Sequence, residues 1–203
     1  MLFFQIFYQR KGVFAYSTWI VVFALFISSC SGPFLGAGSS VGLAALEERS
    51  ARQVALDLAT TAKIRLKLLE SDKKFFLRIG VEVFENRVLL TGIVKSDTLA
   101  ARAVGISWKP KDVVDVLNEI QIGEFKLRNV AKDSWISTQF TSKITFDRDI
   151  LAINYKIETV NGVIYLIGVA QSSSELQKVL NHAKNIGGVN RVINHVRIKK
   201  PSY

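Results

Sequence analysis

Few side chains in this chain are suited to covalent or metal chemistry: one cysteine, Cys30, and two histidines, His182 and His195. A lone thiol can act as a nucleophile, but it cannot close an intramolecular disulfide. Neither histidine stands in an HExxH spacing, and no G-x-S-x-G or phosphate-loop run occurs. Gly36-Ala-Gly38 lies in a glycine- and serine-rich stretch, not between a strand and a helix. No nucleophile stands beside a base and no metal-ligand spacing appears. The expectation is therefore a non-enzyme with no catalytic residue, no metal and no cofactor.

What surrounds Cys30 gives the thiol a different use. Residues 1–12 hold Arg10 and Lys11 and no acid, and Val13 to Ser29 is almost wholly apolar. A basic stretch followed by an apolar run is the pattern of a secretory signal peptide, and the run is short for a spanning helix. It ends in Ile27-Ser28-Ser29-Cys30. This segment resembles the lipobox of bacterial lipoproteins, and the resemblance implies a diacylglycerol on Cys30 and cleavage before it. The alternative is an uncleaved signal anchor. Ser31, where an aspartate would signal inner-membrane retention, makes the resemblance lean towards the outer membrane. Residues 1–29 are thus expected as signal peptide, and 30–46 as lipidated cysteine plus linker.

The 203 residues carry a formal charge of +10. Arg10 and Lys11 are the only charged residues before Cys30, so the remainder stays strongly basic. Such a surface favours anionic partners, or is simply soluble. Export argues against nucleic acid.

The rest of the sequence is one unit written twice. Val88-Leu-Leu-Thr-Gly92 and Ile164-Tyr-Leu-Ile-Gly168 stand 76 residues apart. The same offset aligns Val113–Asn118 with Val189–Asn194, Glu82 with Glu158 and Asp57 with Asp133. Residues 123–132 are left as a short join. Asp57 and Asp133 read as helix N-caps, and Ile136, Phe140 and Ile144 as the buried stripe of the helix that follows, matched by Ile64 and Leu68. Lys63, Arg65 and Lys67 alternate along that first helix and read as a solvated face. Phe75 to Val83 and Leu151 to Thr159 alternate as strands with one buried face. Asn161-Gly162 and Glu85-Asn86 mark hairpin turns. Helices from about Ser96 and Ser172 and last strands ending near Ile122 and Ile198 complete the order. Gly187-Gly188 reads as a tight turn before the last of these.

The order is α-β-β-α-β. With the glycine closing the second strand and the Val-x-x-Val-x-Asn run, it resembles the BON domain, and the whole resembles dual-BON envelope proteins. The fold class implied is α+β: two tandem αββαβ domains over 47–122 and 133–200, each a three-stranded mixed sheet covered on one face by two helices.

In the run Asp133-Ser-Trp-Ile-Ser-Thr-Gln-Phe140, Trp135 falls about 100° from Ile136 on the wheel, among Thr138, Gln139 and Ser142. A tryptophan in that setting is expected at least half exposed, suited to a membrane interface or to packing on the other domain or linker. Copy one has Ala59 there. The resemblance implies anionic phospholipid bound by Trp135, with Ser134, Thr138, Gln139 and Lys132 beside it. Lys143, Arg197, Lys199 and Lys200 are further candidates for phosphate. Trp108 reads as core or domain contact, and His195 as a surface residue. The expected function is a lipid-anchored protein on the periplasmic face of the outer membrane that supports envelope integrity. The alternative is a tethered adaptor for an envelope protein, with lipid only as anchor.

Overall fold

A computed structural model describes residues 49–200; Cys30, the apolar run before it and the linker to residue 46 lie outside the described residues. The chain runs through two matching rounds. The first holds α1 (Ala51–Ser71), α2 (Lys73–Arg78), β1 (Ile79–Phe84), β2 (Arg87–Val94), α3 (Asp97–Ser107), β3 (Asp115–Asn118) and β4 (Gln121–Ile122). The second holds α4 (Leu127–Phe146), a 3-10 turn (Ala152–Asn154), β5 (Tyr155–Val160), β6 (Val163–Ala170), α5 (Ser173–Lys184) and β7 (Arg191–Ile198). In each round a hairpin gives an antiparallel pair, β1 with β2 and β5 with β6. A helix then crosses over, so β3, β4 and β7 run parallel to the middle strand. The architecture is α+β, with two mixed sheets.

Local chemistry explains most boundaries. Ser96 and Ser172 cap α3 and α5, their hydroxyls accepting from Leu99 N at 3.4 Å and Glu175 N at 3.1 Å. Both hairpin turns place two residues at positive φ, Glu85 (49°) and Asn86 (63°), then Asn161 (52°) and Gly162 (73°). That is the turn whose twist matches the strands it joins.

Three sequence expectations are corrected. Asp57 and Asp133 are not N-caps; they sit mid-helix in α1 and α4, buried. Each carboxylate accepts from two backbone amides of the following hairpin turn. For Asp57 these are Glu85 N (2.9 Å) and Asn86 N (3.0 Å); for Asp133, Asn161 N and Gly162 N (both 2.8 Å). Asp57 also accepts from Arg49 Nη1 at 2.6 Å and Gln53 Nε2 at 2.9 Å. Second, the alternation starting at Phe75 is strand only from Ile79 onward; Phe75 and Leu77 are helical. Asp72 Oδ1 accepts from Lys74 N at 2.7 Å and starts α2, which buries Phe75 and exposes Leu77. At the matching place in copy two, the chain forms the 3-10 turn. Third, α4 begins at Leu127, so much of the expected join is helix.

Apolar burial divides into three cores. Ile64, Leu68, Val81, Val88 and Leu90 fill the space between the first sheet and its helices. Ile136, Phe140, Ile144, Ile164 and Leu166 do so in the second. The alternate residues of the same strands make the third: Phe84 and Leu89 against Val163, Tyr165, Ile167 and Val169. The sheets therefore meet on their helix-free faces, and the helices form outer layers on opposite sides. All three cores lie within one compact unit, Ala44–Tyr203, which carries what it needs to fold by itself.

The contacts between the sheets follow the repeat offset. Gln121 and Arg197 are equivalent positions, as are Glu85 and Asn161. Asn161 Nδ2 donates to Gln121 Oε1 at 2.9 Å, and Arg197 forms an ion pair with Glu85. This contact is made twice, once in each direction, as across the two-fold axis of a dimer.

Candidate functional site

Helix α4 owes its placement to Asp133, Asn129 and the inner stripe. Asn129 Nδ2 donates to Asn161 Oδ1 at 2.7 Å, so the hairpin turn holds two points of the first half of the helix. With Ile136, Phe140 and Ile144 turned inward, the opposite face is fixed outward. There Leu127, Ala131 and Trp135 follow at i, i+4, i+8, all exposed; Leu127 is 76% and Trp135 65% exposed. The indole therefore points away from the sheet beneath α4 and stays largely exposed.

The expected neighbours scatter around the helix. Ser134 is exposed, and Thr138 spends its hydroxyl on Ser134 O at 2.9 Å. These two line a groove that Trp135 does not reach. Gln139 is half-buried and lines neither that groove nor its neighbour. Lys132 lies over Gly188, where an added Cβ would come within 2.9 Å of Lys132 Cε. It lines a second hollow with Lys126, Asn161 and Asn190.

The groove, about 540 Å³, opens between α2, the ends of β1 and β2, β5 and the start of α4. Its flanks carry Phe76, Leu77, Phe125 and Val130, all exposed, and its basic groups are Arg65, Arg78 and Lys126. The Arg78 guanidinium carbon lies 5.6 Å from the Phe125 ring centroid, within cation–π range. Sequence reasoning missed α2 as a contributor because Phe75 and Leu77 alternate. The readable signal was Asp72, a cap residue ahead of Lys73-Lys74.

Glu158 lies in the groove, on the helix-free face of β5. Burial pushes its carboxyl up to about 7, the nearby charge of Glu82 adds to this, and Arg65 opposes it. Glu82, its equivalent in copy one, is also raised by burial, against Lys156, Arg65 and Arg49. Among the described residues no cluster of three His, Cys, Asp or Glu could hold a metal, and no helix is long and apolar enough to cross a membrane.

Two further expectations are corrected. Trp108 is the C-cap residue of α3 and half-exposed, so it is not core. His195 is not a plain surface residue: its Nε2 is 2.8 Å from Glu119 Oε1 of the first domain, and both side chains are largely covered.

The sequence profile of the BON domain matches residues 56–124 and 132–200. Over 145 residues the chain is 41% identical to the "Uncharacterized protein in gshII 5'region" of Anaplasma centrale, covering 70% of this chain and 95% of that protein. It is 30% identical to the 21 kDa hemolysin of Actinobacillus pleuropneumoniae (77% and 74% covered). It is 26% identical to the outer membrane lipoprotein DolP of Haemophilus influenzae (83% and 88%).

Proposed function

Because the chain belongs to the BON domain family, with two copies of the domain, we propose that it binds anionic phospholipid through α4 of its second domain and supports the integrity of the bacterial envelope. In this reading Cys30 carries the lipid anchor, and the protein works at the periplasmic face of the outer membrane. The similarity to an outer membrane lipoprotein and the basic charge support it. The observation that carries it is Trp135, 65% exposed on the outward face of α4, with a still more exposed Leu127 on the same face toward the start of the helix. An aromatic ring with one polar edge is favoured at the headgroup level of a bilayer. Lys132 on α4, and Arg65, Arg78 and Lys126 around the adjoining groove, supply cations within reach of lipid phosphates, each worth about 1 kcal/mol near an anionic surface. Ser134 and Thr138, on the groove side of α4, and Gln139 are the weaker contributors in this reading.

The test is sedimentation of residues 44–203, without an anchor, with vesicles containing or lacking phosphatidylglycerol. Binding should require the anionic lipid and fall about tenfold or more in Trp135→Ala. Equal binding by the variant, or none by a well-folded wild type, overturns the reading.

A further inference from the structure

The first domain has its own outward-facing apolar surface, and it is broader than that of α4. Helix α1 buries Asp57, Thr60, Ile64 and Leu68. On the opposite side Ala55, Leu58, Ala59, Ala62, Leu66 and Leu69 recur at i, i+3, i+4, i+7, i+11 and i+14, and all six are exposed. Leu58 is 62% and Leu66 54% exposed. A helix with an apolar stripe on both sides has one face more than its own domain can cover.

The borders of this stripe say what covers it. Arg52, Lys63 and Lys67 run along one side, all exposed, while Arg65 on the other side belongs to the groove beside Glu158. The acids of the helix are Asp57, buried with Arg49, and Glu70, paired with Lys67 at 3.0 Å. A second copy of α1 laid against the first would bring one set of cations against another, which opposes self-pairing. The stripe lies on the outward face of a single helix, a convex surface that offers no slot for an inserted peptide. A convex apolar stripe with basic borders, whose aliphatic stems can lie along a surface while the charges reach phosphates, matches a helix lying in the interface of an anionic bilayer.

We infer that the outer face of α1 is a second lipid-contacting surface, separate from the Trp135 face and directed to the opposite side of the paired sheets. A protein with lipid-facing helices on both outer layers can hold two bilayer surfaces at once.

The experiment compares residues 44–203 with three variants on phosphatidylglycerol vesicles: Leu58→Gln/Leu66→Gln, Lys63→Glu/Lys67→Glu and Trp135→Ala. Sedimentation reads binding, and turbidity reads vesicle clustering. The substituted leucines are exposed, so thermal melts should stay unchanged. The charge-reversal pair keeps the apolar stripe and tests the borders alone. The wild type is expected to cluster vesicles. Both α1 variants should bind about tenfold more weakly and cluster none, while Trp135→Ala keeps the binding that α1 supplies. Wild-type binding and clustering by the leucine variant overturns the inference. So does a wild-type dimer in sedimentation velocity that the leucine variant dissolves. Unchanged behaviour of Trp135→Ala alone counts against the role proposed for α4 and leaves that of α1 standing.

Discussion

Glu119 and His195 occupy the same position in the two repeats and bind each other, Oε1 to Nε2 at 2.8 Å. A residue that meets its own equivalent lies on the axis relating the two halves. The backbone agrees: Arg87 Nη1 donates to His195 O at 3.0 Å, fastening the same strand to the first sheet. A double-mutant cycle with Glu119→Gln and His195→Ala should give a coupling of about 0.5–1.5 kcal/mol in urea unfolding. Zero coupling would mean that the pair adds nothing to domain docking.

Glu158 makes the docking sensitive to pH. Its carboxyl is raised by burial, and by Glu82 across the sheets, to about 7. The folded state therefore holds a proton that the unfolded chain releases near 4.5. Stability from this group is present at low pH and is lost as pH rises from about 4.5 through 7. Glu158→Gln should match the wild type at pH 5 and exceed it at pH 8 by about 1–2 kcal/mol, after allowance for partial solvation. Parallel stability–pH curves for the two proteins would contradict this.

The two hairpin clamps should differ in strength. Asp133→Ala removes acceptors from two turn amides and should cost about 2–3 kcal/mol. Asp57→Ala does the same and also breaks the buried ion pair with Arg49, for about 3–5 kcal/mol. Chemical denaturation of the two variants tests the order.

Gly92 and Gly168 lie two residues before the ends of the middle strands, and each lies against the backbone just before its hairpin partner strand. A Cβ at Gly92 (φ 116°) would stand 1.9 Å from Arg78 O, and one at Gly168 2.1 Å from Asn154 O. Alanine at either position should cost about 3 kcal/mol or more, read as a fall in melting temperature. By contrast Trp135→Ala, on an exposed site, should leave stability within about 0.5 kcal/mol of wild type.

The repeat was legible because its offset lines up what folding needs: the turn positions, the cap serines, the strand glycines and most of the inner stripe. Ile136, Phe140 and Ile144 are buried where periodicity put them, and Trp135 is exposed as its wheel position requires. Asp57 and Asp133 were visible as a matched pair but misassigned. An aspartate before an apolar run looks the same whether it caps its own helix or accepts from a turn 28 residues on. Helix α2 was hidden by an alternation that a single helical turn can mimic. The groove could not be read at all, since it joins residues of both domains that only the docking of the two sheets brings together.

That docking also decides which domains recognise each other. Two first domains pairing in the same geometry would set Glu119 against Glu119. Two second domains would set His195 against His195 and leave Arg197 facing Asn161 in place of Glu85. Divergence of the repeats has thus made a once self-complementary surface selective for its unlike sister. The lock specifies domain type, however, and not chain. A first domain satisfies a second equally well from a neighbouring molecule, so the short stretch between Ile122 and Leu127 is what keeps the partnership within one polypeptide.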